Sequence, residues 1–196
     1  MSEINAECLD VMFMNARSHS FWLPKPVDDA LLKRAYDIAK MGPTSANMQP
    51  LRIVFVKSQA AKEKLKPCLD KGNVEKSMTA PVVAIFGMDI HFYEYLPKFF
   101  PHTDAKAWFK DLPESVLEVM ALRNSSLQAA YFMLAARALG LDCGPMSGFN
   151  NQKLDEAFFK GTTIKSNFIC ALGYGDILKL HPRSPRPTFE EFCRIE

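Results

Sequence analysis

Apolar residues at Ile4, Cys8, Leu9, Met12 and Phe13 recur at three- and four-residue intervals, which predicts a helix from about Ile4 to Ala16. The polar stretch ARSHSFW follows, then LPKPV, which cannot continue a helix. Asp28 is placed to cap a second helix carrying Leu31, Leu32, Ala35, Tyr36 and Ile38, stopped by Gly42-Pro43. Beyond the loop PTSANMQP the period changes. RIVFVK reads as a strand, QAAKEKLKPCLDKG as a helix with a solvated face, and PVVAIFGM as a strand buried on both faces. The aromatic and proline-rich stretch from His91 to about Leu112 predicts short helical turns and no strand. The longest helix runs from Pro113 to Leu139, with proline at its start and Gly140 after its end. Its second half, SLQAAYFMLAARALG, is apolar nearly all round and predicts a buried central helix. LDCGPMSGFN reads as a loop, NQKLDEAFF as a short helix and SNFICALGYG as a third strand. Strands alternating with helices, without a repeat or linker, predict a mixed α/β or α+β core in one domain, residues 1–196.

Composition narrows the function classes. Hydrophobic residues are 48% and charged residues 23% of the 196, as in a globular protein. With 24 basic and 22 acidic side chains the net charge is +2, so there is no bulk electrostatic case for nucleic acid or a membrane surface. Arg123, Asn124, Gln128 and Arg137 interrupt the long helix and argue against a membrane span. Five cysteines without a CxxC pair and a polar, acidic start predict a reducing cytoplasm with buried or idle thiols. Four histidines without ligand spacing predict no metal site. No GxSxG, Walker loop or GxGxxG occurs, which disfavours a nucleophilic hydrolase, a P-loop enzyme and a Rossmann dehydrogenase.

Four constellations remain. Arg17, Ser18, His19 and Ser20 offer a guanidinium fork and two hydroxyls that can hold a phosphate, or simply form a polar helix exit. Thr44, Ser45, Asn47 and Gln49 gather donors and acceptors between two prolines, suited to the edge of a heterocycle or to a capped turn. GPMSGFN, residues 144–150, lets backbone approach a ligand closely, or ends a helix and turns. Arg183 and Arg186, stiffened by Pro182, Pro185 and Pro187, are a second phosphate half-clamp or an extended tail packed on a partner. The aromatics from Phe92 to Phe109 are core or the roof of a flat ligand.

In this order the pieces resemble the nitroreductase superfamily of FMN-dependent oxidoreductases. ARSHSFW stands at its Arg/Ser phosphate motif, PTSANMQPLRIVFV at its PSxxNxQPWR-like loop and strand, and GLDCGPMSGFN at its GLxxxPMxGFD-like loop, with GYGD and a basic tail after them. Within it, GPTSAN, LRNSSLQAAY, GPMSGF and Lys165-Ser166-Asn167 resemble the short RutE/HadB-type branch, that of malonic semialdehyde reductases. Ala16 and Ser20 stand where many relatives are basic, and Ser147 where many carry Glu.

The resemblance implies an α+β, nitroreductase-like fold with a central mixed β-sheet flanked by helices and a long buried central helix, built as an intertwined homodimer. It implies FMN as cofactor and NADH or NADPH as electron donor, with ping-pong hydride transfer through flavin N5 and no obligatory catalytic side chain. Arg17, Ser18 and Ser20 with Arg183 and Arg186 would then hold the phosphate. Thr44, Ser45 and Asn47 would reach the flavin from the partner subunit, Met146, Ser147 and Gly148 would meet its N5/O4 edge, and Asn73 is a further contact. The acceptor implied is malonic semialdehyde, reduced to 3-hydroxypropionate. The alternatives are a general nitro, quinone or enal reductase, a flavin-binding store or regulatory subunit without turnover, and an enzyme that spends its reduced flavin on oxygen.

Overall fold

The computed structural model describes residues 3–196. Asn5 caps α1 (Ala6–Leu9), its side chain accepting from the Cys8 N–H, and the helix widens into a π-turn over Asp10–Met14. Asp28 caps α2 (Asp29–Ala39) as the sequence predicts, accepting from the Ala30 N–H at 3.0 Å. Then come β1 (Leu51–Val56), α3 (Gln59–Leu65), α4 (Lys71–Thr79) and β2 (Val82–Asp89). Short 3₁₀ turns and α5 (Leu96–Phe99) fill the aromatic stretch before α6 (Glu114–Ala138). β3 (Asp142–Met146), α7 (Asn151–Phe158), β4 (Ile164–Gly173) and α8 (Phe189–Phe192) complete the order.

The four strands form one sheet in the order β1-β2-β4-β3, every strand pair antiparallel. The parallel component of the described sheet is a single bridge between Ser18 and Cys143. β2 and β4 lie in the middle, and all eight residues of β2 are buried. Alternation along β2 splits the core in two. Val82, Ala84 and Phe86 face α2 and α6, packing with Leu32, Ala129 and Phe132. Val83 and Ile85 face the other way, onto Leu65, Leu154 and Phe149. A third cluster joins Phe92, Leu96 and Phe109 to Met48 and Leu117, so those aromatics are core, while Tyr95 and Trp108 stay exposed.

Three differences from the sequence expectation have physical causes. Residues 142–146, expected as loop, form an edge strand: Gly144 and Pro145 have poor strand propensity, but pairing with β4 and the Ser18 bridge override it. α4 was not expected, because KGNVEKSMT buries only Ser77 and so carries no apolar stripe. α6 buries only the face that meets the sheet and the aromatic cluster. Val119, Leu122, Leu127 and Tyr131 lie open on its other face. All five cysteines are free; Cys68, Cys143 and Cys170 are buried, whereas Cys8 and Cys193 are exposed. Among the described residues no helix is long and apolar enough to cross a membrane.

Candidate cofactor site

The segment after the π-turn runs as a strap across the ends of β3 and β4. The His19 N–H donates to the Cys143 carbonyl at 3.0 Å, Trp22 bridges Gly175, and the Leu23 N–H donates to the Tyr174 carbonyl at 2.8 Å. This carries Arg17 and Ser18 to the rim of a cavity of about 460 Å³. The C-terminal tail forms the opposite wall with His181, Arg183 and Arg186. Arg183 donates to the carbonyls of Met14 (2.7 Å) and Ala16 (2.9 Å), and Arg17 donates to the His181 carbonyl, so the two ends of the chain are laced together. The structure thus brings Arg17, Ser18, Arg183 and Arg186 to one place. Ser20 follows on the strap, half-buried and outside the cavity lining.

A fourth arginine lines the same cavity. Arg137 comes from the last turn of α6, and its Nε is buried without a hydrogen-bond partner. Its Nη1 reaches only the Met12 carbonyl, at 3.3 Å. Among the described residues none of the four guanidinium groups pairs with a carboxylate, and no acidic side chain lines the cavity. Four guanidinium groups without a carboxylate partner and a buried donor without an acceptor are groups that could hold an anion, and they fit a phosphate monoester. Arg137 was read in the sequence only as a charge that breaks a membrane span. The usable signal was a charge in an otherwise apolar helix, which must find a partner.

The loop over Thr44, Ser45 and Asn47 is held in a costly shape. Ala46, Asn47 and Gln49 have φ of 47°, 48° and 44°, a region that non-glycine residues enter at about 1–2 kcal/mol each. Two buried amides of α6 hold it there. Asn124 accepts from the Ser45 N–H at 2.9 Å. Gln128 donates to the Gln49 side chain at 2.6 Å and accepts from the Leu51 N–H at 3.0 Å. Within the loop Thr44 Oγ1 accepts from the Gln49 N–H, and Asn47 donates to the Phe99 carbonyl at 2.8 Å. Asn124→Ala leaves the Ser45 N–H unpaired and lowers stability by about 1–3 kcal/mol, read as a fall of roughly 5 °C in melting temperature. Ser45 and Asn47 are exposed, and Asn47 borders a separate cleft of about 810 Å³ beside β1, with Gln49, Arg52 and Tyr95. Within one chain the loop and the arginine cavity therefore do not share a pocket.

Met146, Ser147 and Gly148 leave the end of β3. Asn73 of α4 holds this turn, its Nδ2 donating to the Gly148 carbonyl at 2.9 Å. The Asp70 N–H donates to the same carbonyl at 3.1 Å. A Cβ at Gly148 would lie 2.5 Å from that Nδ2, so this glycine admits the amide of Asn73. Ser77 Oγ, fully buried, lies 3.9 Å from Met146 Sδ. No group of three or more His, Cys, Asp or Glu among the described residues could hold a metal. Burial pushes the Cys170 thiol well above its ordinary range, as expected of a packed thiol.

Residues 14–175 match the profile of the nitroreductase family. The chain belongs to the nitroreductase family. The matched span includes the strap, the 44–49 loop, Asn73 and the 146–148 turn of this nitroreductase-family chain, and ends before the arginines of the tail. A Burkholderia lata relative, named by inference as an NADH dehydrogenase/NAD(P)H nitroreductase, is 57% identical over 196 residues, the full length of both chains. A similarly named protein of Cupriavidus pinatubonensis is 56% identical, covering 96% of this chain and 97% of its own. Among solved structures, an Exiguobacterium sibiricum nitroreductase in complex with FMN matches over the whole of both chains with a TM-score of 0.85 and 20% identity. An enone reductase of gut-bacterial fatty acid saturation matches with a TM-score of 0.84 and 18% identity, covering 98% of this chain and 99% of its own. These structures establish the shared fold.

Proposed function

We propose that the chain is an FMN-dependent NAD(P)H oxidoreductase of the cytoplasm that works as a homodimer and reduces a small acceptor. The observation that carries the reading is the cavity lined by Arg17, Arg137, Arg183 and Arg186 with no carboxylate among them. A dianionic phosphate is the ligand such a site needs, and the FMN complex of a same-fold neighbour supports flavin mononucleotide as its bearer. The whole chain, 1–196, acts as one cofactor-binding domain.

Each part of the site has a task in this scheme. The arginines and Ser18 anchor the phosphate. The 146–148 turn, fixed by Asn73 and Asp70, presents backbone to the ring edge. The shaped loop from Thr44 to Asn47 is directed at the ring of the second subunit, because in its own chain it borders a different cleft. The open apolar face of α6, with Val119, Leu122, Leu127 and Tyr131, supports a subunit interface. When bound, FMN supplies the hydride-accepting and hydride-donating centre; the protein supplies position, electrostatics and exclusion of water. No side-chain nucleophile is required.

The acceptor we favour is malonic semialdehyde, on the branch motifs GPTSAN, LRNSSLQAAY and Lys165-Ser166-Asn167. The relatives' nitroreductase names and the enone reductase neighbour support a broader nitro or enal reductase as the second reading. Purified protein is expected to carry FMN. Initial rates with NAD(P)H at several acceptor concentrations are expected to give parallel double-reciprocal lines, because donor and acceptor use one ring face in turn. Intersecting lines, or turnover in flavin-free protein, would reject the mechanism. Comparison of kcat/KM for malonic semialdehyde, a nitroarene and an enone separates the two acceptor readings.

A further inference from the structure

We infer that His19 is a positioning residue that sets the geometry in which Arg17 and Ser18 meet the phosphate; the inference rests on the flavin-phosphate reading above. The ring is buried, 7% of the residue remaining exposed, beneath a strap whose preceding residue, Ser18, lines the arginine cavity. On extended backbone neighbouring side chains point to opposite faces, so an inward His19 turns Ser18 outward. A slip of one residue would reverse both.

The surrounding protein is shaped to fix this one residue. A Cβ at Gly175 would lie 1.9 Å from His19 Nδ1, and a Cβ at Gly144 would lie 2.3 Å from the His19 carbonyl oxygen. The middle of β3 and the turn after β4 thus each lack a side chain where His19 passes. The Trp22 ring packs at 6.1 Å between centroids. Nε2 lies 3.4 Å from Asp142 Oδ1, and Asp142 Oδ2 accepts the Gly175 N–H at 2.8 Å. One carboxylate therefore ties the imidazole to the turn after β4.

A leucine would fill the same volume without leaving a polar atom stranded. Histidine leaves Nδ1 buried and without a partner, and this nitrogen and Arg137 Nε are the two such side-chain atoms among the described residues. Arg137 lines the arginine cavity, and His19 directly follows Ser18, which does. The polar contact with Asp142 is thus kept at the expense of an unpaired nitrogen, which packing alone does not require. Nε2 is the nitrogen that faces the carboxylate, so a tautomer with hydrogen on Nε2 would leave Nδ1 bare against Gly175.

The test compares FMN with riboflavin, which lacks the phosphate, by calorimetric titration of full-length protein freed of flavin. Wild-type protein is measured first; if it binds the two equally, the phosphate reading fails and this inference with it. With that preference in hand, His19→Leu is expected to weaken FMN binding about tenfold while riboflavin stays within about twofold. His19→Gln, whose amide N–H can still donate to Asp142, is expected to recover most of the loss. Asp142→Asn, which keeps the size of the side chain and disturbs the tautomer, is expected to lower FMN affinity selectively as well. It keeps the test intact if the leucine variant does not fold. In ¹⁵N spectra of wild-type imidazoles, His19 is expected to show a protonated Nε2 and a bare Nδ1. His19→Leu binding FMN as wild type does, or losing FMN and riboflavin by the same factor, would overturn the inference.

Discussion

Arg17→Ala is expected to weaken FMN binding by about tenfold to a hundredfold and to leave riboflavin binding unchanged. A charge-assisted hydrogen bond to phosphate contributes about 1.5–3 kcal/mol, and each 1.4 kcal/mol is tenfold in affinity. Arg17 is the cleanest of the four arginines to remove. Its one protein contact is the His181 carbonyl, whereas Arg183 joins the tail to Met14 and Ala16, so its loss would also loosen the cavity wall. Arg17→Lys keeps the charge and loses the planar fork, and should fall between wild type and alanine. Titration with both flavins at two salt concentrations reads the result. An FMN affinity untouched by the alanine substitution would return ARSHSFW to a polar helix exit.

Phe132→Ala is expected to have the largest effect on stability. Phe132 is fully buried on the inner face of α6, its ring centroid 5.7 Å from Phe55 and 5.6 Å from Phe86. Those contacts join the long helix to β1 and β2, and removing the ring leaves a cavity at that junction. Removing a ring of this kind costs about 3–5 kcal/mol, and for a chain of this size that lowers the melting temperature by roughly 10 °C or more. Because the residue lies away from the arginine cavity, protein that still folds should keep its preference for FMN over riboflavin. A shift of only one or two degrees would mean that the helix and sheet are not joined through this ring.

Three of the four strands, β1, β2 and β4, and the two long helices were legible because each writes a clear pattern into the sequence. RIVFVK and PVVAIFGM are short apolar runs rich in β-branched residues, and Asp28 with Gly42-Pro43 brackets α2. β3 was hidden because Gly144 and Pro145 resist strand formation, and only pairing with distant β4 makes them a strand. α4 was hidden because its burial is confined to a serine. Around the candidate site, local motifs singled out Arg17, Ser18, Arg183 and Arg186, which the structure brings to one cavity, but the sequence could not show that His19 is pinned by Gly175, 156 positions away. Asn124 and Gln128 stood out only within the motif LRNSSLQAAY and as interruptions of an apolar helix, and Arg137 only as such an interruption. Their partners lie in the 44–51 segment and the π-turn, so nothing next to them in sequence announces the contact.

The lacing of strap to tail has a consequence for the life of the chain before it is complete. Arg17 and the His181 carbonyl are separated by 164 positions, and Arg183 by 167 from Ala16. A nascent polypeptide has the first wall of the cavity almost as soon as synthesis begins and lacks the second until Arg183 and Arg186 have left the ribosome. On the proposed flavin reading the phosphate would meet both walls of its site only after the tail is made, so it would contribute little to early folding. A phosphate held there would close nearly the whole polypeptide into a ring without a covalent bond, so a protease that trims the tail is expected to release FMN before the sheet unfolds.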